Sequence, residues 1–144
     1  MRFWDSSAIV PLFVEEPPTA VLLPLAAEPE PIAVWWGSPV EVVAALARRE
    51  RGGQLPVARF LDVLSAFRNV AATWREVAPS ASIRIQAERL LRVHLLSAAD
   101  SLQLAAALSI VGREPSSVGF VCLDERLCSA AAREGLRVVP AMAP

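Results

Sequence analysis

Hydrophobic residues along the chain form short uninterrupted runs that alternate with longer segments of helical spacing. Clear apolar runs lie at residues 2–4, 32–36 and 118–123, and weaker ones lie at 74–79 and 136–140. Short apolar runs bounded by polar residues are typical of strands buried in a parallel sheet. Their alternation with helical segments predicts an α/β fold with a central parallel β-sheet of about four to five short strands, flanked by helices on both faces.

Segments with apolar residues at every third or fourth position predict the helices. In the third of them, Ser38 is the predicted N-cap, Pro39 fits the first helical position, and Gly52 and Gly53 mark the end. Pro11 is tolerated if it lies in the first turn of the first helix. The predicted helices cover residues 7–14, 18–28, 38–53, 56–70, 80–94, 97–111 and 125–135.

The composition is that of a globular protein, with 54% hydrophobic and 20% charged residues in a chain of 144. This length suits one compact core, so residues 1–144 are predicted to form a single domain. The apolar runs are too short to cross a membrane, and the N-terminus lacks the pattern of a signal peptide. Cys122 and Cys128 are too few for a disulfide framework and are expected to be buried thiols of a cytoplasmic protein.

Charge gives no general indication of a nucleic-acid-binding protein, because the formal net charge is −1. All 14 basic residues are arginine, so any contact with phosphate must come from guanidinium or backbone N–H groups. The absence of lysine from the sequence also excludes a lysine-dependent P-loop.

Acidic residues stand at the starts of predicted helices. Aspartate occurs four times, and three of the four begin a helix: Asp5 and Asp124 directly follow apolar strands, and Asp100 lies in a first turn. Glu41 occupies the first turn of another helix. Each position alone is explained by helix capping, because Asp is a favoured N-cap and a serine stands three residues before both Glu41 and Asp100.

Taken together, the four acids favour a functional cluster. The carboxyl ends of parallel strands lie along one edge of a sheet, which is also where ligands bind in α/β proteins. Acids placed there would converge, and carboxylates so close repel one another unless a cation joins them. An all-carboxylate site suits Mg²⁺ or Mn²⁺. The pattern therefore indicates metal-assisted phosphoryl chemistry.

Four segments in this order resemble a PIN domain, and most closely a VapC-type ribonuclease toxin of a bacterial type II toxin–antitoxin system. They are FWDSSAIVPLFVEE, SPVEVVAALARRE, LSAADSLQLAAAL and FVCLDERLCSAAAREGLRVV. The resemblance covers nearly the whole chain. It implies a PIN-like fold, which agrees with the parallel sheet predicted from the hydrophobic pattern.

The resemblance implies a Mg²⁺- or Mn²⁺-dependent endoribonuclease that hydrolyses RNA phosphodiester bonds with a metal-activated water. By the same resemblance, Asp5, Asp100 and Asp124 bind the metal, and Glu41 binds it directly or through water. Ser7 corresponds to the hydroxyl that supports the site. A cognate antitoxin protein, an RNA substrate and a homodimer are also implied.

One position departs from the family pattern, because Gln103 stands where many relatives have histidine. Glutamine does not titrate near neutral pH, so no catalytic role is expected for it.

His94 is predicted to be a surface or helix-terminal residue. Two arginine clusters are open to two interpretations, as solvated helix surfaces or as contacts with RNA phosphates or an acidic antitoxin tail: Arg48, Arg49 and Arg51, and Arg84, Arg89 and Arg92.

Two alternatives remain open, a non-catalytic PIN-like binding module and another Mg²⁺-dependent phosphoryl-transfer enzyme on a similar sheet. Retention of all four acids argues against the first alternative. In the second class, a haloacid-dehalogenase-like phosphatase would need aspartate at the position of Ser7. A phospho-receiver domain would need a late lysine, and the sequence contains none.

Overall fold

The computed structural model describes residues 1–140, so the last four residues of the predicted domain 1–144 lie outside the described residues. At its centre is a five-stranded sheet in which each neighbouring pair of strands is parallel. The spatial order is β3-β2-β1-β4-β5. The predicted parallel sheet is confirmed, and its strands are β1 (Arg2–Trp4), β2 (Ile32–Trp35), β3 (Arg75–Val77), β4 (Gly119–Val121) and β5 (Arg137–Val139).

Helices connect successive strands, as parallel neighbours require. Short 3₁₀ turns at Val10–Leu12 and Pro115–Ser117 supplement them. The helices are α1 (Ser6–Ile9), α2 (Thr19–Ala27), α3 (Ser38–Arg51), α4 (Val57–Ala71), α5 (Ala81–Val93), α6 (Ala98–Ser109) and α7 (Glu125–Arg133).

Alternate side chains of the strands point to opposite faces of the sheet and build two separate cores. On one face, Phe3 and Phe120 are fully buried, and their stacked rings have centroids 5.8 Å apart. Residues of α5, α6 and α7 cover this face. On the other face, Trp4 and Val121 are buried beneath α1, α2, α3 and α4. Helices therefore cover both faces, as predicted.

The strand order brings the ends of β1 and β4 side by side in the middle of the sheet. Trp4 is in register with Val121, and the backbone N–H of Asp5 donates to the carbonyl of Val121 at 2.9 Å. This is the point at which the order of strands reverses, where ligands bind in open α/β sheets. The fold thus places Asp5 where a functional site is expected.

The first predicted helix, residues 7–14, differs from the observed structure. Helix α1 consists of four residues and passes directly into the 3₁₀ turn that contains Pro11. Proline lacks the N–H that a continuing α-helix would use, but it fits the start of the tighter turn. The segment after Asp5 is therefore short and sharply bent.

The predicted N-cap of α3 was wrong. The cap is Gly37, and Ser38 is already helical, with its side chain fully buried and turned toward Gln103. A side chain at position 37 would meet the ring of Trp35, because Trp35 Nε1 lies 2.5 Å from where a Cβ atom would stand. Close packing against Trp35 thus favours glycine at this cap.

Two further predictions concern the membrane and the cysteines. Within residues 1–140, no helix combines the length and the apolar sequence that crossing a bilayer requires. Cys122 and Cys128 are free and buried thiols, as predicted.

Phe120→Ala tests the importance of the core that α5 to α7 cover. We expect it to lower the free energy of unfolding by about 3–5 kcal/mol, because it removes a fully buried ring that stacks on Phe3. Val57→Ala is the control, since Val57 is 74% exposed and its truncation should change stability by about 0.5 kcal/mol or less. Urea unfolding monitored by circular dichroism measures both. Equal effects of the two variants would contradict this assignment of the core.

Candidate active site

Asp5 is the buried acid at the end of the central strand β1. Its side chain caps α1 through Oδ2, which accepts from the backbone N–H of Ser7 at 3.0 Å and from the Ser7 hydroxyl at 2.5 Å. Within residues 1–140, Oδ1 of Asp5 is buried and has no hydrogen-bond partner. A carboxylate oxygen left in this state is costly unless a ligand completes it. Helix capping therefore accounts for Oδ2 of Asp5 and does not account for the buried Oδ1.

Ser7 connects the end of β1 to the end of β4. Its hydroxyl donates to Asp5 and accepts from the backbone N–H of Leu123 at 3.0 Å. The Cys122 thiol also lies near both side chains, with its sulfur 3.7 Å from Ser7 Oγ and from Asp5 Oδ2. The Ser7 hydroxyl thus fixes the orientation of Asp5 relative to the neighbouring strand.

Two neutral hydrogen-bond donors hold the carboxylate of Glu41. The Ser6 hydroxyl donates to Oε2 at 2.7 Å, and the amide of Gln103 donates to Oε1 at 3.1 Å. Gln103 is fully buried and also contacts Ser38, with its Nε2 atom 3.1 Å from Ser38 Oγ. Helices α3 and α6 are thereby joined through one amide side chain, which orients Glu41.

Asp100 and Asp124 are the more accessible acids. Asp100 lies in the first turn of α6, where its backbone N–H donates to the Ser97 hydroxyl at 3.1 Å. Asp124 is exposed and caps α7, accepting from the Leu127 N–H at 2.8 Å. The predicted capping role of Asp124 is therefore present. The cap uses Oδ1 of Asp124 and leaves Oδ2 available.

All four acids and Ser7 line one cleft of about 440 Å³ at the carboxyl edge of the sheet. We call it the acidic cleft. Two arginines of α3 also border it: Arg49, which pairs with Glu16, and Arg48. Among residues 1–140, no three acidic, histidine or cysteine side chains stand close enough to hold a metal ion without rearrangement. The acids thus share a cleft without forming a closed cluster.

Burial dominates the electrostatics of the acidic cleft, and repulsion between the acids adds to its effect. Burial raises the pKa of the Asp5 carboxyl, the hydrogen bonds from Ser7 oppose the rise, and the charge of Asp100 adds to it. Burial likewise raises the pKa of Glu41, against the bonds from Ser6 and Gln103, and the charges of Asp5 and Asp100 contribute to the same increase. A cation would relieve this repulsion, and the oxygen-only donor set fits a hard ion such as Mg²⁺.

The sequence relatives agree with this site. Ribonuclease VapC45 of Mycobacterium tuberculosis (strain CDC 1551 / Oshkosh) is 36% identical over 101 residues, which cover 70% of this chain and 68% of the relative. Ribonuclease VapC49 of Mycobacterium tuberculosis (strain ATCC 25618 / H37Rv) matches with the same identity and coverage. The chain belongs to the VapC ribonuclease family. No protein-family model matches the chain.

Solved structures share the VapC fold. Mycobacterium tuberculosis VapC20, described as a sarcin-ricin loop cleaving toxin, has a TM-score of 0.68 at 18% identity and covers 90% of this chain and 95% of its own. A toxin–antitoxin complex from Klebsiella pneumoniae has a TM-score of 0.64 at 15% identity, covering 94% and 95%. At these identities the likeness concerns the fold alone, and it extends over most of the described VapC chain.

Two positioning residues were missed in the sequence of this VapC protein. Ser6 stands in the turn after Asp5 and has no predicted role, and Gln103 is expected to have no catalytic role because an amide does not titrate near neutral pH. Gln103 stands three residues after Asp100, a spacing that places two side chains on neighbouring positions of a helix surface. That spacing was a usable signal for Gln103. No pattern distinguished Ser6 from an ordinary turn serine.

Asp5→Asn should raise the melting temperature of the metal-free protein near neutral pH. The folded-state pKa of Asp5 lies above its unfolded value of 3.8, so ionised Asp5 destabilises the fold once the pH exceeds that value. Asparagine still caps α1 but carries no charge. The advantage of the variant should therefore grow as the pH rises from about 4 to 7 and vanish below that range. Thermal unfolding in EDTA across this pH range measures it.

Asp62→Asn is the control for that experiment, because Asp62 is exposed on α4 and should change the melting temperature little at any pH. If Asp5→Asn instead lowered the melting temperature equally at every pH, Asp5 would be a stabilising cap and not a buried charge kept for function.

Proposed function

We propose that this VapC-family protein is a Mg²⁺- or Mn²⁺-dependent endoribonuclease toxin that hydrolyses RNA phosphodiester bonds at the acidic cleft. The observation that carries the proposal is the buried Oδ1 atom of Asp5, which has no hydrogen-bond partner among the described residues and belongs to a side chain that lines a cleft with three more carboxylates. An aspartate that only caps a helix would not need Oδ1, whereas an aspartate that binds a cation would use it as a ligand.

Asp5, Asp100 and Asp124 are the residues that would hold the metal, and Glu41 would contact it directly or through water. When bound, a divalent ion of this kind supplies a water of lowered pKa and neutralises charge on the scissile phosphate. The family comparison supports metal dependence in general, and the oxygen-only donors favour Mg²⁺ or Mn²⁺ over softer ions.

The chain's own residues orient these ligands. Ser7 fixes Oδ2 of Asp5 and leaves Oδ1 without a hydrogen-bond partner among the described residues. Ser6 and Gln103 donate to both oxygens of Glu41, so its carboxylate is fixed while keeping lone pairs available. Arg48 borders the cleft and is placed to contact a phosphate of the substrate. Groups held this firmly lose little freedom when substrate binds, which favours catalysis.

We further propose a cognate antitoxin, self-association into a homodimer and a cytoplasmic location. Solved neighbours of this fold include toxin–antitoxin complexes, which supports a protein partner. Apolar residues stand exposed on the outer helices, with Val21 at 52% on α2 and Leu61 at 70% on α4. Exposed apolar side chains of this kind favour protein contacts.

Asp5→Asn and Asp100→Asn should each abolish RNA cleavage, with a loss on the order of 100-fold or more in kcat/KM. Excess EDTA should have the same effect on the wild-type protein. Asp62→Asn is the matched control, since it makes the same chemical change at an exposed position outside the cleft. RNA fragments resolved on denaturing gels, together with growth after controlled expression, measure the outcome.

Full cleavage by Asp5→Asn or Asp100→Asn, or full cleavage in EDTA, would contradict the proposal. Folding of each variant is checked by circular dichroism. Wild-type protein that binds RNA without cutting it would favour the non-catalytic PIN-like alternative.

A further inference from the structure

A groove continues from the acidic cleft along α7. A hollow of about 430 Å³ adjoins the cleft through Asp100 and Asp124, and it is also lined by Leu95 and Arg126. A third hollow, of about 350 Å³, shares Leu95 and Arg126 with the second and reaches Arg133. These shared residues make one continuous path, which we call the α7 groove.

One wall of the α7 groove is cationic. Arg126 and Arg133 are both exposed and stand seven residues apart on α7, which puts them on one helix face about 10 Å apart along the axis. Among residues 1–140, neither guanidinium forms an ion pair or a side-chain hydrogen bond. Their charge is therefore available to a ligand.

The opposite wall is apolar. Val93, the last residue of α5, is 57% exposed, and Leu95, in the segment that joins α5 to α6, is 78% exposed. His94 also lines the groove, and its side chain is 5% exposed, with Nε2 2.7 Å from Glu134 Oε1; Glu134 also pairs with Arg89. The charge of Glu134 is thereby compensated before any ligand arrives. A groove with cations on one side and exposed aliphatic surface on the other matches a nucleotide strand, which has anionic phosphates and flat apolar bases.

The proposed reaction itself requires such a binding surface. The acidic cleft carries four carboxylates, which repel the phosphates of RNA, and the chain has a net charge of −1. Affinity for RNA comes chiefly from cations that neutralise phosphates. Those cations must therefore lie beside the cleft, and the α7 groove supplies two of them.

We propose that the α7 groove holds the RNA strand next to the cleavage site, with Arg126 and Arg133 contacting phosphates and Leu95 packing against a base. The inference rests on the proposed function and names where the substrate continues beyond the acids. Glu125 also lines the groove, near the cleft. Its carboxylate opposes RNA binding, so its neutralisation should have the opposite effect to loss of the arginines.

The test measures how salt affects RNA binding. The probe is an unstructured, fluorescein-labelled RNA of about 12 nucleotides, a length within the range that single-strand grooves cover. Binding is followed by anisotropy in the Asp5→Asn background, which prevents cleavage. Loss of both arginines in Arg126→Gln/Arg133→Gln should reduce the slope of log K against log salt by roughly 1.4, about 0.7 for each phosphate contact. Glu125→Gln should strengthen binding at low salt.

The matched control is Arg59→Gln/Arg113→Gln, which makes the same change in net charge at two exposed arginines that do not line the groove and belong to neither arginine cluster. Its slope should remain that of the parent. An unchanged slope for Arg126→Gln/Arg133→Gln, or an equal change in the control pair, would overturn the inference, even if antitoxin binding were weakened. Cleavage by the wild-type protein is assayed in parallel. Absence of cleavage would refute the proposed function. Intact cleavage together with unchanged slopes would refute only the role of the α7 groove.

Discussion

The hydrogen bonds of the Ser7 hydroxyl are the interaction on which the geometry of the site depends. By donating to Asp5 and accepting from Leu123, this one group joins the ends of two parallel strands that are far apart in sequence. It satisfies one carboxylate oxygen of Asp5, a residue that is 3% exposed, and leaves the other without a hydrogen-bond partner among the described residues. Without it, Asp5 would keep the bond from the Ser7 backbone N–H and its own backbone bond to the Val121 carbonyl, but its carboxylate would lose the hydroxyl that links it to the backbone after β4.

The fold could be predicted because it depends on patterns that repeat along the chain. Apolar runs and helical spacing specify which segments are strands and which are helices, and parallel connectivity then places the strand ends on one edge. Asp5 and Asp124 could be found in this way, since both follow buried strands. The wrong cap at Ser38 has a clear physical cause. A serine at a helix start usually bonds to its own helix, but here a distant buried amide competes for the hydroxyl.

Contacts between distant segments explain what the sequence did not reveal about the site. Ser6 and Gln103 both donate to Glu41, although they lie 35 and 62 residues from it in the sequence, respectively. No local pattern encodes such a meeting. The α7 groove is a similar case, because its walls come from separate segments and its two arginines lay outside both clusters that the sequence suggested. Separation along the chain, more than chemical type, decided which residues could be recognised in advance.

The amide of Gln103 has a consequence for how the protein responds to acidity. Its bond to Glu41 comes from a group that keeps the same donors across the physiological range, unlike an imidazole at that position. The hydrogen bond that Gln103 gives Glu41 is therefore insensitive to pH, whereas burial raises the pKa of the Asp5 and Glu41 carboxyls. Acidification would protonate Asp5 and Glu41 and leave the donors that orient them in place. A fall in pH would therefore reduce the negative charge of the acidic cleft without removing the hydroxyl and amide donors that orient Asp5 and Glu41.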